Sequence, residues 1–140
     1  MKKLFAFALI MALSLTCALA LAEDSEGYTV RTGLSYSEQW GPTIVNIIEK
    51  DGEVVKVLFD TARDGQSSKE KYNDYGIKKV SSIGKEWWEQ VAFVETWLEQ
   101  NGLDSLEVTE DGYAANPDVL TGATFHVSYY VEAIADALGK

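Results

Sequence analysis

An Asp-Gly dipeptide between two β-rich runs is the feature that most restricts how this chain can fold. The runs, 43–49 and 53–59, are rich in valine and isoleucine and flank Lys50-Asp51-Gly52. The two central positions of the tightest hairpin turns need positive φ, which Asp-Gly adopts readily. The sequence therefore predicts a β-hairpin over about 43–59, and with it a small antiparallel sheet.

Alternation in the second run predicts that one face of this hairpin is buried. Val55, Val57 and Phe59 would share one face, and Lys56 lies on the other. A sheet with one face more apolar than the other is expected to be covered by helices on the apolar side only.

Apolar residues at helical spacing predict two longer helices. The first covers 84–100 and ends at Asn101-Gly102, and the second covers 125–138. Their apolar stripes step by four, three and four residues: Trp87, Val91, Val94, Leu98 and Val127, Val131, Ile134, Leu138. A short charged helix is predicted at 67–72. Together these elements predict an α+β fold, in which two or three helices pack on the sheet and one of them is C-terminal.

The remaining segments carry weaker patterns. Residues 28–33 contain β-forming residues and are predicted as a first strand, and 106–109 are predicted as a short one. Residues 35–42 are predicted as a loop, because a Gly-Pro pair ends them. We divide the chain after its leader into a lead with the first strand, 23–34, and one domain, 35–140.

The N-terminal residues have the pattern of a secretory signal peptide. Lys2-Lys3 precede an apolar run over 4–15, and Ala20-Leu21-Ala22 provides an A-x-A cleavage site. We predict a cleaved signal peptide over 1–22 and an extracytoplasmic mature protein. Retention as a membrane anchor stays open, because the apolar stretch approaches the roughly 20 residues that a spanning helix needs.

The mature chain is acidic and poor in histidine and cysteine. Removal of the signal peptide would change the net charge from −10 to −12, which disfavours nucleic-acid binding. It would also remove Cys17, the single cysteine, and leave His126 as the single histidine. Disulfides, iron–sulfur clusters, thiol nucleophiles and histidine-built metal sites are excluded on this basis. Redox chemistry would need an organic cofactor.

The seven residues before the last predicted helix are the best candidate for a binding site. Asp118-Val119-Leu120-Thr121-Gly122-Ala123-Thr124 combines two hydroxyls with a small, flexible backbone. A helix that begins at Phe125 would offer unpaired N–H groups and partial positive charge to a phosphate. A plain helix N-cap with small residues behind it is the alternative interpretation.

The spacing of this motif resembles the Asp-x-x-(Ser/Thr)-Gly-Ala-Thr signature of FMN-binding domain proteins. That family includes the C subunit of the sodium-pumping quinone reductase, the G subunit of the Rnf complex and exported flavoproteins of extracellular electron transfer. The resemblance implies that a flavin transferase, using FAD and magnesium, attaches FMN to Thr124 through a phosphoester. It also implies cofactor contacts at Asp118, Thr121, Gly122 and Ala123, where the two small residues would leave room for the incoming phosphate.

The resemblance covers most of residues 36–138. Residues 36–41, the Asp51-Gly52 hairpin and residues 68–72 are similar, in order, to segments of the exported subgroup. The chain departs from the family two and three residues after the motif threonine. Family members often have threonine or serine there, and this chain has His126-Val127.

Several side chains are candidates to contact a flavin. The candidates for stacking on its ring are Trp40, Trp87, Trp88 and Tyr129. Trp40 is favoured because it lies in a predicted loop, whereas Trp87 belongs to an apolar stripe. His126 is interpreted as a solvated helix-face residue rather than a proton donor to reduced flavin. Ser68 and Lys69 are likewise interpreted as part of a solvated helix rather than as contacts to the phosphate.

We therefore predict an exported electron carrier that accepts electrons from a membrane donor and passes them to an extracytoplasmic acceptor. The flavin would supply the chemistry, and the protein would supply position and electrostatics. The acidic environment of the cofactor predicts that the reduction potential of the flavin is lowered. Two alternatives stay open: reversible FMN binding in a reductase component, and a secreted binding module without a cofactor.

Overall fold

The computed structural model describes residues 27–63, 66–71 and 76–140. Within these residues an antiparallel sheet in the order β1-β2-β3-β4 packs against helices. The strands are β1 Tyr28–Ser37, β2 Gly41–Lys50, β3 Glu53–Arg63 and β4 Gln66–Ser67. The helices are α1 Ser68–Lys71, α2 Trp87–Asn101, α3 Pro117–Leu120 and α4 Ser128–Ala137, with a 3-10 helix at Ile77–Lys79. The predicted α+β fold is confirmed.

Three predictions fall wholly or partly outside the described residues. The signal peptide over 1–22 lies outside them, and so do residues 23–26 of the lead and residue 72 at the end of the short helix predicted at 67–72. Among the residues that are described, no helix is both long enough and apolar enough to cross a membrane.

The predicted hairpin is confirmed, and its strands are longer than the predicted range. β2 and β3 meet at Asp51-Gly52, where both φ values are positive, at 53° and 86°. A register shift at Ile48/Glu49 leaves Val55 as an extra residue in β3, which is a β-bulge. Val57 and Phe59 are buried as predicted, but Val55 is 44% exposed. The prediction for Val55 is wrong because the bulge reverses the alternation of faces.

β1 extends the sheet further than the predicted first strand. All ten of its residues pair with β2. The loop predicted over 35–42 is therefore wrong, since only residues 38–40 form the turn between β1 and β2. Pro42 is accommodated near the start of β2, a position that proline tolerates. The domain boundary placed after residue 34 falls inside β1.

Two carboxylates of α2 satisfy backbone groups along the outer edge of β3. Glu95 Oε1 accepts the Phe59 N–H at 2.6 Å, and Glu99 Oε1 accepts the Val57 N–H at 3.0 Å. β4 pairs with only the last two residues of β3, so it does not reach these N–H groups. A helix face thus takes the place of a strand at this edge, which protects it from pairing with other chains.

The core lies between the sheet and the apolar faces of α2 and α4. The predicted stripe of α2 is confirmed, with Val91, Val94 and Leu98 fully buried. α4 contributes Tyr130, whose ring meets that of Phe59 edge-on, with 4.5 Å between centroids and an interplanar angle of 81°. This geometry is favoured between aromatic rings and ties α4 to the centre of β3.

α4 crosses β1 in close contact at Gly33. A Cβ on Gly33 would overlap the carbonyl oxygen of Ala133 and the backbone nitrogen of Ala137. Beside this contact, Asp136 Oδ2 accepts the Leu34 N–H at 2.8 Å. Because glycine has no side chain at this position, α4 can approach the sheet this closely.

We predict that Gly33→Ala lowers the free energy of unfolding, because α4 would have to move away from β1. The expected loss is about 1–3 kcal/mol, typical of overpacking, and urea denaturation would measure it. Thr32→Ala, at the exposed neighbouring position, is the control. Equal stability of Gly33→Ala and the wild type would contradict the close contact.

Candidate functional site

Aromatic side chains from separate parts of the chain surround a cavity of about 170 Å³. A single water needs roughly 15 Å³ by the same measure, so the cavity has room for an organic ring system. Its aromatic lining residues are Trp40, Trp87, Tyr113, Phe125 and Tyr129. Hydroxyl groups and other side chains complete the lining: Thr61, Ser68, Thr124, Ile77 and His126.

The cavity brings together two residues that the sequence analysis singled out for different parts of a flavin cofactor. Thr124 is the residue that the motif marks for FMN attachment, and Trp40 is the favoured stacking candidate in the turn between β1 and β2. Trp87, Tyr129 and His126 also line the cavity. Trp87 is half-buried and is part of both the core and the cavity wall.

Of the other candidates, Trp88 and Lys69 lie away from the cavity lining and Ser68 lies in it. Trp88 is 39% exposed and is not a lining residue. Lys69 forms an ion pair with Glu95 rather than lining the cavity, whereas Ser68 is buried and lines it. The interpretation of Ser68 as a solvated residue is therefore wrong.

The predicted helix start at Phe125 is wrong, because α4 begins three residues later. The N–H groups of Val127 and Ser128 both donate to the Gly112 carbonyl oxygen, at 2.8 and 3.2 Å. His126 forms a β-bridge with Tyr113. The turn around Gly112 thus holds residues 126 and 127 outside the helix, which begins at Ser128, so Thr124 does not lie at a helix N-terminus. The interpretation of the motif as the N-cap of the last helix is wrong for the same reason.

The small residues of the motif are buried and serve packing. Gly122 faces Phe93, whose ring a Cβ on residue 122 would overlap. Ala123 is 1% exposed and belongs to the core. The space that the sequence analysis reserved for an incoming phosphate is therefore filled by α2.

The start of the motif forms α3, a single turn of helix. Asp118 is exposed in that turn, and Thr121 Oγ1 donates to its carbonyl oxygen at 2.7 Å. The N–H groups of Gly122 and Ala123 both donate to the Val119 carbonyl oxygen at 2.9 Å. Of the motif residues, Thr124 is the one among the lining residues of the cavity. Cofactor contacts at Asp118, Thr121, Gly122 and Ala123 stay predictions.

Gln90 is a site residue that the sequence analysis missed. It lies on α2, is 2% exposed, and its Oε1 accepts from Thr124 N–H at 2.9 Å and from Thr124 Oγ1 at 3.3 Å. Its Nε2 donates to the Lys85 carbonyl oxygen at 3.1 Å and to Ser81 Oγ at 3.4 Å. A polar side chain beside Val91, on the buried face of a helix, was the available signal.

The cavity lining carries no carboxylate, lysine or arginine among the described residues. Burial, and next the neighbouring Tyr113, raise the pKa of Tyr129 to about 12. Tyr129 is therefore a neutral phenol at physiological pH. Tyr113, which the sequence analysis also missed, contacts His126 with 4.1 Å between ring centroids. In the described part of the chain, no group of three or more acidic, histidine or cysteine side chains is placed to hold a metal ion.

The raised tyrosine pKa values predict that stability falls at alkaline pH. Burial also raises the pKa of Tyr130 well above 10.0. The unfolded chain would lose these phenolic protons first, so the stability is complete below pH 10 and is lost as the pH rises towards 12 and beyond.

We expect Tyr129→Phe to lose less stability than the wild type between pH 10 and 12, the interval between the ordinary and the raised pKa. The difference should be about 1–2 kcal/mol, after allowance for the partial exposure of Tyr129. Chemical denaturation at a series of pH values would measure it, with Tyr36→Phe at an exposed position as the control. An unchanged pH profile of Tyr129→Phe would contradict the assignment.

Comparison with known proteins supports the fold but does not indicate a function for the cavity. The chain is similar to a protein from Clostridium thermocellum whose structure was solved by solution NMR, with a TM-score of 0.54 and 22% sequence identity. The similarity covers 79% of this chain and 88% of that one. No family model and no curated protein matches the chain. At this identity the likeness shows the fold alone.

Proposed function

We propose that this protein is an exported electron carrier that holds FMN in the aromatic cavity through a phosphoester on Thr124. The observation that carries the proposal is the meeting of Thr124 and Trp40 in one cavity, since each was selected from the sequence for a different part of the same cofactor. The motif resemblance supplies the identity of the cofactor. The signal-peptide pattern supports the location outside the cytoplasm.

The chemical character of the residues that line the cavity suits a flavin. The isoalloxazine ring is planar and aromatic, and Trp40, Trp87 and Tyr129 offer ring faces and edges for stacking. Thr61 and Ser68 offer hydroxyl groups to its polar edge. When bound, the flavin supplies electron transfer, and the chain binds the ring, orients it and limits its contact with water.

Attachment needs a hydroxyl oxygen that an enzyme can reach, and Thr124 is half-buried at the wall of an open cavity. In the proposed reaction, Thr124 Oγ1 forms a bond to the phosphorus of the FMN half of FAD. The bond that joins this phosphorus to the oxygen of AMP breaks, and AMP leaves with the electron pair. The hydroxyl proton passes to the flavin transferase, and magnesium offsets the charge of the phosphates.

The charge of the lining favours covalent over reversible binding. A freely bound FMN phosphate is normally held by cationic side chains or a helix N-terminus. The described lining residues include no lysine or arginine, and α4 begins four residues after Thr124. A phosphate esterified to Thr124 needs neither, since the covalent bond retains it.

We expect the exported protein, co-expressed with an active flavin transferase, to carry one FMN that survives denaturation. A fluorescent band on a denaturing gel and the intact mass would report it. Thr124→Ala should be colourless, whereas Thr96→Ala, which removes an exposed hydroxyl on α2 outside the motif, should be labelled like the wild type. Thr124→Ala should stay folded, because it loses one side-chain hydrogen bond, worth about 0.5–1.5 kcal/mol.

The outcomes separate the proposed function from its alternatives. Flavin that is released on denaturation would indicate reversible binding and contradict attachment. A wild-type protein that stays colourless beside an active transferase would indicate a module without this cofactor.

The electrostatics of the site predict a flavin potential that depends on salt. The chain is acidic overall, but the described lining of the cavity has no carboxylate, so the negative charge acts from a distance. Such long-range effects are screened by salt within about 10 Å at 0.1 M. We expect the potential of the attached flavin to lie below that of free FMN at low ionic strength and to rise towards it as salt is added. A potential above that of free FMN, or one that does not respond to salt, would contradict this.

A further inference from the structure

We propose that Gln90 is the positioning residue that aims Thr124 Oγ1 into the cavity for flavin attachment. This inference rests on the proposed function and adds to it a residue outside the motif. Gln90 lies on α2, 34 residues before Thr124, and makes hydrogen bonds to both the backbone and the side chain of Thr124.

The hydrogen bonds of Gln90 fix the orientation of its side-chain amide. A primary amide has two donor hydrogens and one oxygen that accepts two bonds, and all four are used here. The Lys85 carbonyl can only accept, and the Thr124 backbone N–H can only donate. A rotated amide would place donor against donor and acceptor against acceptor, so Oε1 must face Thr124.

This orientation determines what the Thr124 hydroxyl presents to the cavity. Oε1 of Gln90 is an acceptor, so Thr124 Oγ1 donates its hydrogen to it. The lone pairs of Oγ1 stay available on the other side of the oxygen, where a phosphorus atom would be attacked. Gln90 does not take up the proton, which leaves with the transferase as described above.

The burial of Gln90 makes the arrangement rigid. At 2% exposure, water does not compete for its hydrogen bonds, and a partner left unpaired would be costly. The bond to the Thr124 backbone N–H does not involve the hydroxyl, so it persists after the phosphoester has formed. Gln90 therefore holds the same segment before and after modification.

The test compares Gln90→Met, which keeps the volume but removes the hydrogen bonds, with two variants of the same helix. Gln100→Met makes the same change at an exposed position, and Val94→Ala weakens the core without removing a hydrogen bond to Thr124. We expect the initial rate of flavin attachment to fall roughly tenfold or more in Gln90→Met, as misplacement of a reacting group does. Gln100→Met should be modified at the wild-type rate, and Val94→Ala should lose far less than Gln90→Met.

A second measurement needs no flavin. In the unmodified protein, amide hydrogen exchange at Thr124 should be roughly tenfold faster in Gln90→Met than in the wild type. The Ala123 amide, which donates to the Val119 carbonyl oxygen, is the internal reference and should change less. Gln90→Glu keeps an oxygen acceptor at this position and should restore part of the Thr124 protection and of the attachment rate.

The two measurements distinguish a failure of this inference from a failure of the proposed function. A wild-type protein that is never modified contradicts the proposed function. A Gln90→Met protein that is modified at the wild-type rate, with its Thr124 amide still protected, overturns the positioning role. If Gln90→Met does not fold, Gln90→Glu decides: loss of Thr124 protection in a folded Gln90→Glu protein would also overturn it.

Discussion

The attachment of α2 to the outer edge of β3 is the constraint on which the candidate site depends. Glu95 is 5% exposed, and a buried carboxylate is stable only when it is paired. Its partners are the Phe59 N–H and the Lys69 ammonium group, so a rotation of α2 would leave a charge unpaired. Gln90 lies five residues earlier, about 7.5 Å along the helix axis. Contacts with the sheet at one end of α2 thus determine where Gln90 meets Thr124 at the other.

The parts of the fold that local patterns determine were predictable from the sequence. The Asp51-Gly52 turn requires positive φ wherever it occurs, and the stripe of α2 follows from helical periodicity alone. The bulge at Val55 and the late start of α4 depend instead on how these residues pair with other segments of the chain. Neither a register shift in β2 nor the carbonyl of Gly112 leaves a local signal, so alternation and periodicity were extended too far.

The residues of the candidate site likewise divide into those that local sequence patterns predicted and those that they did not. Thr124 was identified by its motif and Trp40 by its place in a predicted loop, although that loop proved to be a three-residue turn. Gln90 and Tyr113 were missed because their roles come from contacts with other elements. Only the position of Gln90, beside Val91 on the buried face of α2, set it apart. A polar residue in such a stripe warrants the same attention as a motif.

The contact between Gly122 and Phe93 bears on how the motif is to be interpreted in other chains. The glycine and Ala123 are required by packing against the core, whether or not the neighbouring threonine is ever modified. A related protein that had lost its cofactor would still be under selection to keep both small residues. Retention of Gly-Ala is therefore weak grounds for assigning a flavin to a distant homologue. On the role proposed for Gln90, the pairing of a threonine with a buried amide-bearing residue on the facing helix would be the more informative combination.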